Sequence, residues 1–299
     1  MPARFNAYPP DRAALVRLLD DDQAYRIGRD LECELCIDHA SVSRLHATLR
    51  GAGFSWMLHD GGSKNGVRVD GERVADVALD KATWFAVGDV YCSLEPLDPA
   101  AAERLREQHE NRRVVSRWLS GRLSPSLGID TLIGQTLDVA LELAGLDRGF
   151  VLYARAEEPL RVRACRGMET GEIGRREFAG SVTAVDRALA SQHSVLCCDT
   201  AESPWLGVRP SVRLGGIRAI LCVPLKVARN SFGVLYADSR RPGPVLTELD
   251  VELIEAVAGH AAALLTARQL RGDTATLMDE AANAGIHAPR WDELAGKRD

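Results

Sequence analysis

Between Ala13 and Pro96 the chain is written in runs too short for anything but β-strands: "ALVRLL", "AYRIG", "ELCI", "ATLR", "FSWML", "GVRV", "WFAV" and "VYCSLEP". Apolar and polar residues alternate within most of them, so one side of each strand turns to a core and the other to water. Glycine, aspartate and asparagine separate the runs, and this punctuation predicts an all-β sandwich. No helical period appears before Pro99.

After Pro99 the style changes to "AAERLREQHENRRVVSRWLSGRL", dense in charge and nearly free of glycine, which predicts a long exposed helix joining two units. From about residue 124 helices and strands mix. "DTLIGQTLDVALELA" puts Leu132, Ile133, Leu137, Ala140, Leu141 and Ala144 on one helical face, with Asp130 placed to cap its start. "GFVLYA", "LRVRAC", "SVLCCD", "AILCVPLKV" and "FGVLYADS" are strand candidates. A closing helix puts Leu253, Ile254, Val257, Ala261, Leu264 and Leu265 on its apolar face. The expected organisation is therefore multidomain: a sandwich over 1–99, a helical linker over 100–123, an α/β unit over 124–271 and a tail over 272–299.

A chain of 299 residues with 46% hydrophobic and 26% charged residues can bury two cores. Lys and Arg number 37 against 42 Asp and Glu, and no long basic block stands out, which argues against nucleic acid or a bilayer as the partner. No apolar run reaches the roughly 18 residues that span a membrane, and the N-terminus lacks a signal-peptide pattern, so a cytoplasmic location is expected. Seven cysteines, an odd number, do not make a disulfide framework. Cys33-x-x-Cys36 with His39 nearby invites a metal, but on a strand positions 33 and 36 would point to opposite faces, so no metal is expected.

Three clusters in the sandwich stand apart from its alternation: Gly28-Arg29, Ser43-Arg44-Leu45-His46, and Ser63-Lys64-Asn65 before an Asn-Gly turn at Gly66. Loops of a sandwich gather at its ends, so these clusters can converge. Two guanidinium groups and a hydroxyl meeting at one point suit a phosphoryl dianion, and a nearby carboxamide can grip a peptide backbone through both donor and acceptor. Together the clusters resemble a forkhead-associated (FHA) domain over roughly residues 10–97. The resemblance implies an eleven-stranded sandwich whose apical loops bind a phosphothreonine-containing protein or peptide. It assigns phosphate contacts to Arg29, Ser43 and Arg44 and the backbone grip to Asn65. Ser63 and Lys64 would line the loop, with Gly28, His46 and Gly66 in support. Val67 stands where the family often carries threonine.

The second unit is similar to a GAF domain over roughly 124–270, through Val223-Pro224-Leu225, Gly233-Val234-Leu235-Tyr236, Asp238 and the closing helix. The resemblance implies a small-molecule sensor with an antiparallel sheet. The Asn-Lys, Phe, Asp-Glu signature of cyclic-nucleotide members is not found. Cys165, Cys197, Cys198 and Cys222 admit two readings: small buried hydrophobes, or a redox site like that of GAF proteins that reduce free methionine sulfoxide.

These features predict a signalling adaptor with no catalytic centre and no cofactor; the alternatives are a cysteine-dependent redox enzyme and the front of a larger transcriptional regulator or kinase. The small residues of "AVAGHAAALL" suggest a homodimer packed through GAF helices. Thr274 and Thr276, taken to lie in a flexible segment, are candidate phosphosites for self-recognition by the first unit.

Overall fold

The computed structural model describes residues 1–10, 12–53, 55–155, 158–168, 181–198, 200, 206, 212, 215–228, 230–241 and 245–283, without the side chains of 116, 118–120, 281 and 282. The first unit is a sandwich of eleven strands. They are β1 (Ala3–Tyr8), β2 (Leu15–Leu19), β3 (Ala24–Gly28), β4 (Leu35–Cys36), β5 (Ala47–Ala52), β6 (Ser55–Asp60), β7 (Val67–Val69), β8 (Glu72–Val74), β9 (Asp76–Leu79), β10 (Thr83–Val87) and β11 (Val90–Pro96). One sheet has the order β2-β1-β11-β10-β7-β8 and the other β4-β3-β5-β6-β9. All pairs are antiparallel except β3 with β4. The inward residues of both sheets, among them Phe5, Ile27, Leu49, Trp56, Phe85 and Leu94, form one core.

Strand β1 escapes a reading that begins at Ala13, although Ala3, Phe5 and Ala7 do alternate with Arg4, Asn6 and Tyr8 and are fully buried. A second difference concerns Asn65-Gly66, expected to close a tight turn. Only Gly66 has a positive φ there, and the loop carries the chain from β6 in one sheet to β7 in the other. The two-residue hairpin turn falls instead at Asp70-Gly71, between β7 and β8, where both φ angles are positive.

Helix α1 (Pro99–Gly121) leads to the second unit, made of α2 (Ile129–Ala144), β12 (Arg148–Tyr153), β13 (Arg161–Arg166), α3 (Val182–Ser191), β14 (Val195–Cys197), β15 (Ala219–Val227), β16 (Asn230–Ser239) and α4 (Glu248–Asn283). Its five strands form one antiparallel sheet in the order β13-β12-β16-β15-β14. Helices α2 and α4 bury their apolar stripes on one face, with Leu137, Val223, Leu235 and Ile254 at the centre; Phe150, Ala184, Cys222 and Tyr236 fill the α3 side.

Three local expectations are corrected. Asp130 does not cap α2: the cap residue is Gly128, and Asp130 pairs with Arg163 at 2.8 Å. The closing helix runs to Asn283, past Arg271, because polar residues in its last turns face solvent without breaking the backbone ladder. Thr274 and Thr276 are therefore helical, donating their hydroxyls to the carbonyls of Leu270 and Gly272 at 2.7 and 3.0 Å. A helical segment spends its own backbone groups internally and offers none for a carboxamide to grip.

The two units touch. Ala14 pairs in parallel with Thr247; its amide donates to the Leu246 carbonyl at 2.9 Å, and its carbonyl accepts from the Glu248 amide at 3.1 Å. Arg17 pairs with Glu248 at 2.7 Å, and Arg112 of α1 pairs with the buried Asp250. Asp250 also closes a capping box with Thr247 at the start of α4, accepting from the Thr247 amide and hydroxyl, both at 2.9 Å.

Candidate functional site

At one end of the sandwich the loops after β3, β4 and β6 meet. The chain leaves β3 at Gly28, and a side chain there would collide with the next loop: a Cβ would sit 2.0 Å from the Arg44 carbonyl oxygen and 2.9 Å from Cys33 Sγ. With hydrogen in that place, the Arg29 amide donates to the Ser43 carbonyl at 2.9 Å and the Asp30 amide to the Arg44 carbonyl at 3.2 Å. The β3–β4 loop is stiffened by Arg26, whose guanidinium meets Glu34 at 2.9 Å and holds that carboxyl at about 2.

His46 is fully buried and joins two loops. Its Nδ1 accepts from the Ser43 amide at 3.1 Å, which leaves the proton on Nε2, and that nitrogen donates to the Gly66 carbonyl at 3.1 Å. Burial pushes the imidazole below its ordinary value, so it stays neutral near pH 7. Ser63 is buried as well: its hydroxyl accepts from the Gly66 amide at 2.9 Å, and its carbonyl accepts from Arg73 at 3.0 Å. Gly66 has φ +78, and a Cβ on it would press into Arg73 Nε at 2.4 Å.

These braces hold the remaining groups open to solvent. The Ser43 hydroxyl accepts from the Lys64 amide at 3.1 Å, and its own proton is left for a ligand. The Asn65 carboxamide donates to the Ser41 carbonyl at 2.7 Å, which leaves its oxygen as an acceptor. Arg29, Arg44 and Lys64 are exposed, and among the described residues none stands within 4.0 Å of a carboxylate. Arg29, Ser43, Arg44, Lys64 and Asn65 all line a single cavity of about 650 Å³. Ser63 sits behind it, as do Gly28, His46 and Gly66.

Sequence reading missed Ser41, whose carbonyl holds Asn65 and whose hydroxyl accepts from the Asp89 amide at 2.8 Å. It also missed Asp60, which accepts from the Ser63 amide at 3.3 Å, and Arg73. No local pattern marks Ser41 or Arg73, because their partners lie in distant loops and turns, whereas Asp60 stands only three residues before its partner Ser63. The strand-parity reasoning about Cys33 and Cys36 does not apply, since Cys33 sits in a turn with its thiol near the Arg44 carbonyl, and only Cys36 is on a strand. Among the described residues no group of three or more His, Cys, Asp or Glu is arranged to hold a metal.

In the second unit Asp238 is fully buried, paired with Arg148 and accepting from the Tyr236 hydroxyl at 2.7 Å. Tyr236 stacks on Phe150 at 4.7 Å and accepts from the Ser181 amide at 3.1 Å. Burial and the charge of Asp238 push the Cys222 thiol well up, which keeps it protonated and a poor nucleophile. No described helix is long and apolar enough to cross a membrane.

The model of the FHA domain matches residues 25–90, and that of the GAF domain matches residues 128–265. Among solved structures, an FHA domain from Chlamydia trachomatis is 27% identical, with 32% of this chain and 99% of that chain covered and a TM-score of 0.28. Mycobacterium tuberculosis EmbR, in complex with a low affinity phosphopeptide, is 27% identical over 32% of this chain and 24% of that chain, with a TM-score of 0.28. The GAF domain of a phosphoenolpyruvate-protein phosphotransferase from Coxiella burnetii is 13% identical over 55% of this chain and 98% of that chain, with a TM-score of 0.45. No curated protein matches.

Proposed function

We propose that this chain, an FHA domain followed by a GAF domain, is a non-catalytic signalling adaptor that binds phosphothreonine peptides through Arg29, Ser43 and Arg44. The observation that carries this reading is a cavity lined by Arg29, Arg44 and Lys64, none ion-paired among the described residues, beside a hydroxyl and a carboxamide that neighbouring loops hold in place. Three cations without counter-charges favour a dianion, and charge-assisted bonds to its oxygens restore what the site lacks. Asn65 gives the backbone contact that a free phosphate would not use.

The test is titration of the purified chain with degenerate phosphothreonine, phosphoserine and unphosphorylated peptide pools. Retention of the phosphothreonine pool alone is expected. Arg29→Ala and Ser43→Ala should each weaken it by about 2–5 kcal/mol without unfolding the sandwich. Undiminished binding in both variants would overturn the assignment.

A second reading concerns α4. The stripe expected to serve self-association packs largely on the chain's own sheet, Ile254, Val257, Ala261 and Leu265 being 0–1% exposed. The opposite side carries Ala256, His260, Ala263, Ala267, Leu270, Thr274 and Leu277, a 3.5-residue spacing in which Leu270 and Leu277 are 61% and 64% exposed. This stripe favours a parallel homodimer through α4. Sedimentation of the wild type and of Leu270→Glu/Leu277→Glu tests it: a dimer that the variant dissociates is expected, and a wild-type monomer at all concentrations excludes it.

A further inference from the structure

The outward face of the six-stranded sheet carries aromatic rings where a sandwich face turned to water would carry polar side chains. Cross-strand register sets Arg68 opposite Ala86, Ala86 opposite Tyr91, and Tyr91 opposite Tyr8, so these four form one row. Trp84 opens the next row, opposite Ser93, and its ring stacks on Tyr8 at 5.4 Å. Tyr91 is 67% exposed and Trp84 58%. Elsewhere on the same sheet the chain covers itself: Val16 and Leu18 line a cleft with His109 and Arg113 of α1 and Leu249 of α4. The aromatic part is left bare.

That bare part is joined to the cavity through the β10–β11 turn, which bonds to the cavity residue Ser41. The row ends at the β10–β11 turn, where the Gly88 carbonyl accepts from Arg68 at 2.6 Å and the Asp89 amide donates to the hydroxyl of Ser41, a cavity residue, at 2.8 Å. Arg68 is also 3.6 Å from Asp89, so its charge is engaged and the row presents rings rather than ions.

We infer that Tyr8, Trp84 and Tyr91 extend the phosphopeptide site and hold apolar side chains, such as leucine, proline or an aromatic, of the same partner. The inference rests on the phosphothreonine reading above. Tyr91 lies two residues along β11 from Asp89 and Trp84 one row further, which places the rings roughly 13–20 Å from Ser41; at about 3.3 Å per extended residue the partner reaches them about four to six residues from its phosphothreonine. Three partly exposed rings offer a few hundred Å² together, against about 800 Å² that each partner of a stable free-standing interface buries. A patch of that size suits a segment already tethered at the cavity, where its effective concentration is high.

The experiment selects 17-residue degenerate peptides with a fixed central phosphothreonine on the full chain, on Trp84→Ser/Tyr91→Ser and on Arg29→Ala. The wild type is expected to enrich apolar residues four to six positions from the phosphothreonine. The double variant should lose that enrichment but keep selection at nearer positions, and Arg29→Ala should retain nothing. Selected peptides made at full length and cut to seven residues should differ by about fivefold or more on the wild type and be equal on the double variant. Both substituted residues are exposed, and an unchanged melting temperature shows that the variant folds. Phosphate-dependent retention without distant selection, or distant selection that survives the double substitution, overturns the extension alone. No phosphate-dependent retention by the wild type overturns the phosphothreonine reading, and the extension falls with it.

Discussion

At the scale of single residues the site depends on two that touch no ligand in this reading. Gly28 lies where a methyl group would overlap the Arg44 carbonyl at 2.0 Å, so Gly28→Ala must push the Arg29 loop away from the Arg44 loop. Phosphopeptide binding should fall below detection by titration, with stability lowered by about 1–3 kcal/mol in urea unfolding. His46 gives a pH dependence whose sign follows from its burial. Its folded value lies below the unfolded one of about 6.5, so as pH falls past 6.5 the unfolded chain takes a proton that the folded chain refuses. Stability from this residue is complete above pH 6.5 and declines below it. The urea midpoint should therefore drop less between pH 7.5 and pH 5.5 in His46→Gln than in the wild type; equal drops would show that His46 does not titrate on unfolding. The cationic and hydroxyl residues of the site were legible because three short clusters in fixed order carried them. Ser41 and Arg73 were not, since what they do is set by partners 24 and 10 residues away and by no local spacing.

At the scale of elements, period and punctuation separated strands from helices well, and the failures share a cause. Alternation cannot say which sheet a strand joins, so Asn65-Gly66 read as a tight turn although its loop changes sheets. Helical period cannot say where a helix stops when its last turns bury little, so α4 was cut short at Arg271. The capping residue of α2 was misplaced because Asp130 had a stronger partner in Arg163, brought by β13 from 33 residues on. At the start of α4 the cap is well determined. Thr247→Ala removes the hydroxyl that donates to Asp250 and accepts from its amide, and should cost about 1 kcal/mol. Arg112→Ala should cost roughly 1–3 kcal/mol because Asp250, 4% exposed, would lose a charged partner without gaining water. Thermal unfolding of the two variants separates these effects: a loss for Arg112→Ala no larger than that of an exposed ion pair would show that Asp250 is solvated.

At the scale of the whole molecule the two units meet through few bonds among the described residues, and none of these involves a residue of the phosphate cavity. Among the described residues the contacts include the Ala14 amide and carbonyl on Leu246 and Glu248, the Cys198 thiol near the Arg12 carbonyl, the Arg17–Glu248 and Arg112–Asp250 pairs, Arg106 reaching from α1 to Asp20 at 3.1 Å, and Ala13 packed against the core of the second unit. Ion pairs with exposed partners contribute about 0–1 kcal/mol each, and a backbone hydrogen bond about 1 kcal/mol net. The exposed pairs therefore add little, and the Arg112–Asp250 pair, whose carboxylate is buried, with the packing of Ala13, holds more of the contact. The triple variant Arg17→Ala/Arg106→Ala/Arg112→Ala should undock the sandwich from the start of α4 while leaving both cores intact. Small-angle scattering should show a larger radius of gyration, and unfolding should separate into two transitions. Affinity for a phosphothreonine peptide should stay within about twofold of the wild type, because every cavity residue is braced from within the sandwich. An affinity changed by tenfold, with the cores still folded, would mean that the docked arrangement itself shapes the cavity, and that phosphopeptide binding and the position of α4 are coupled.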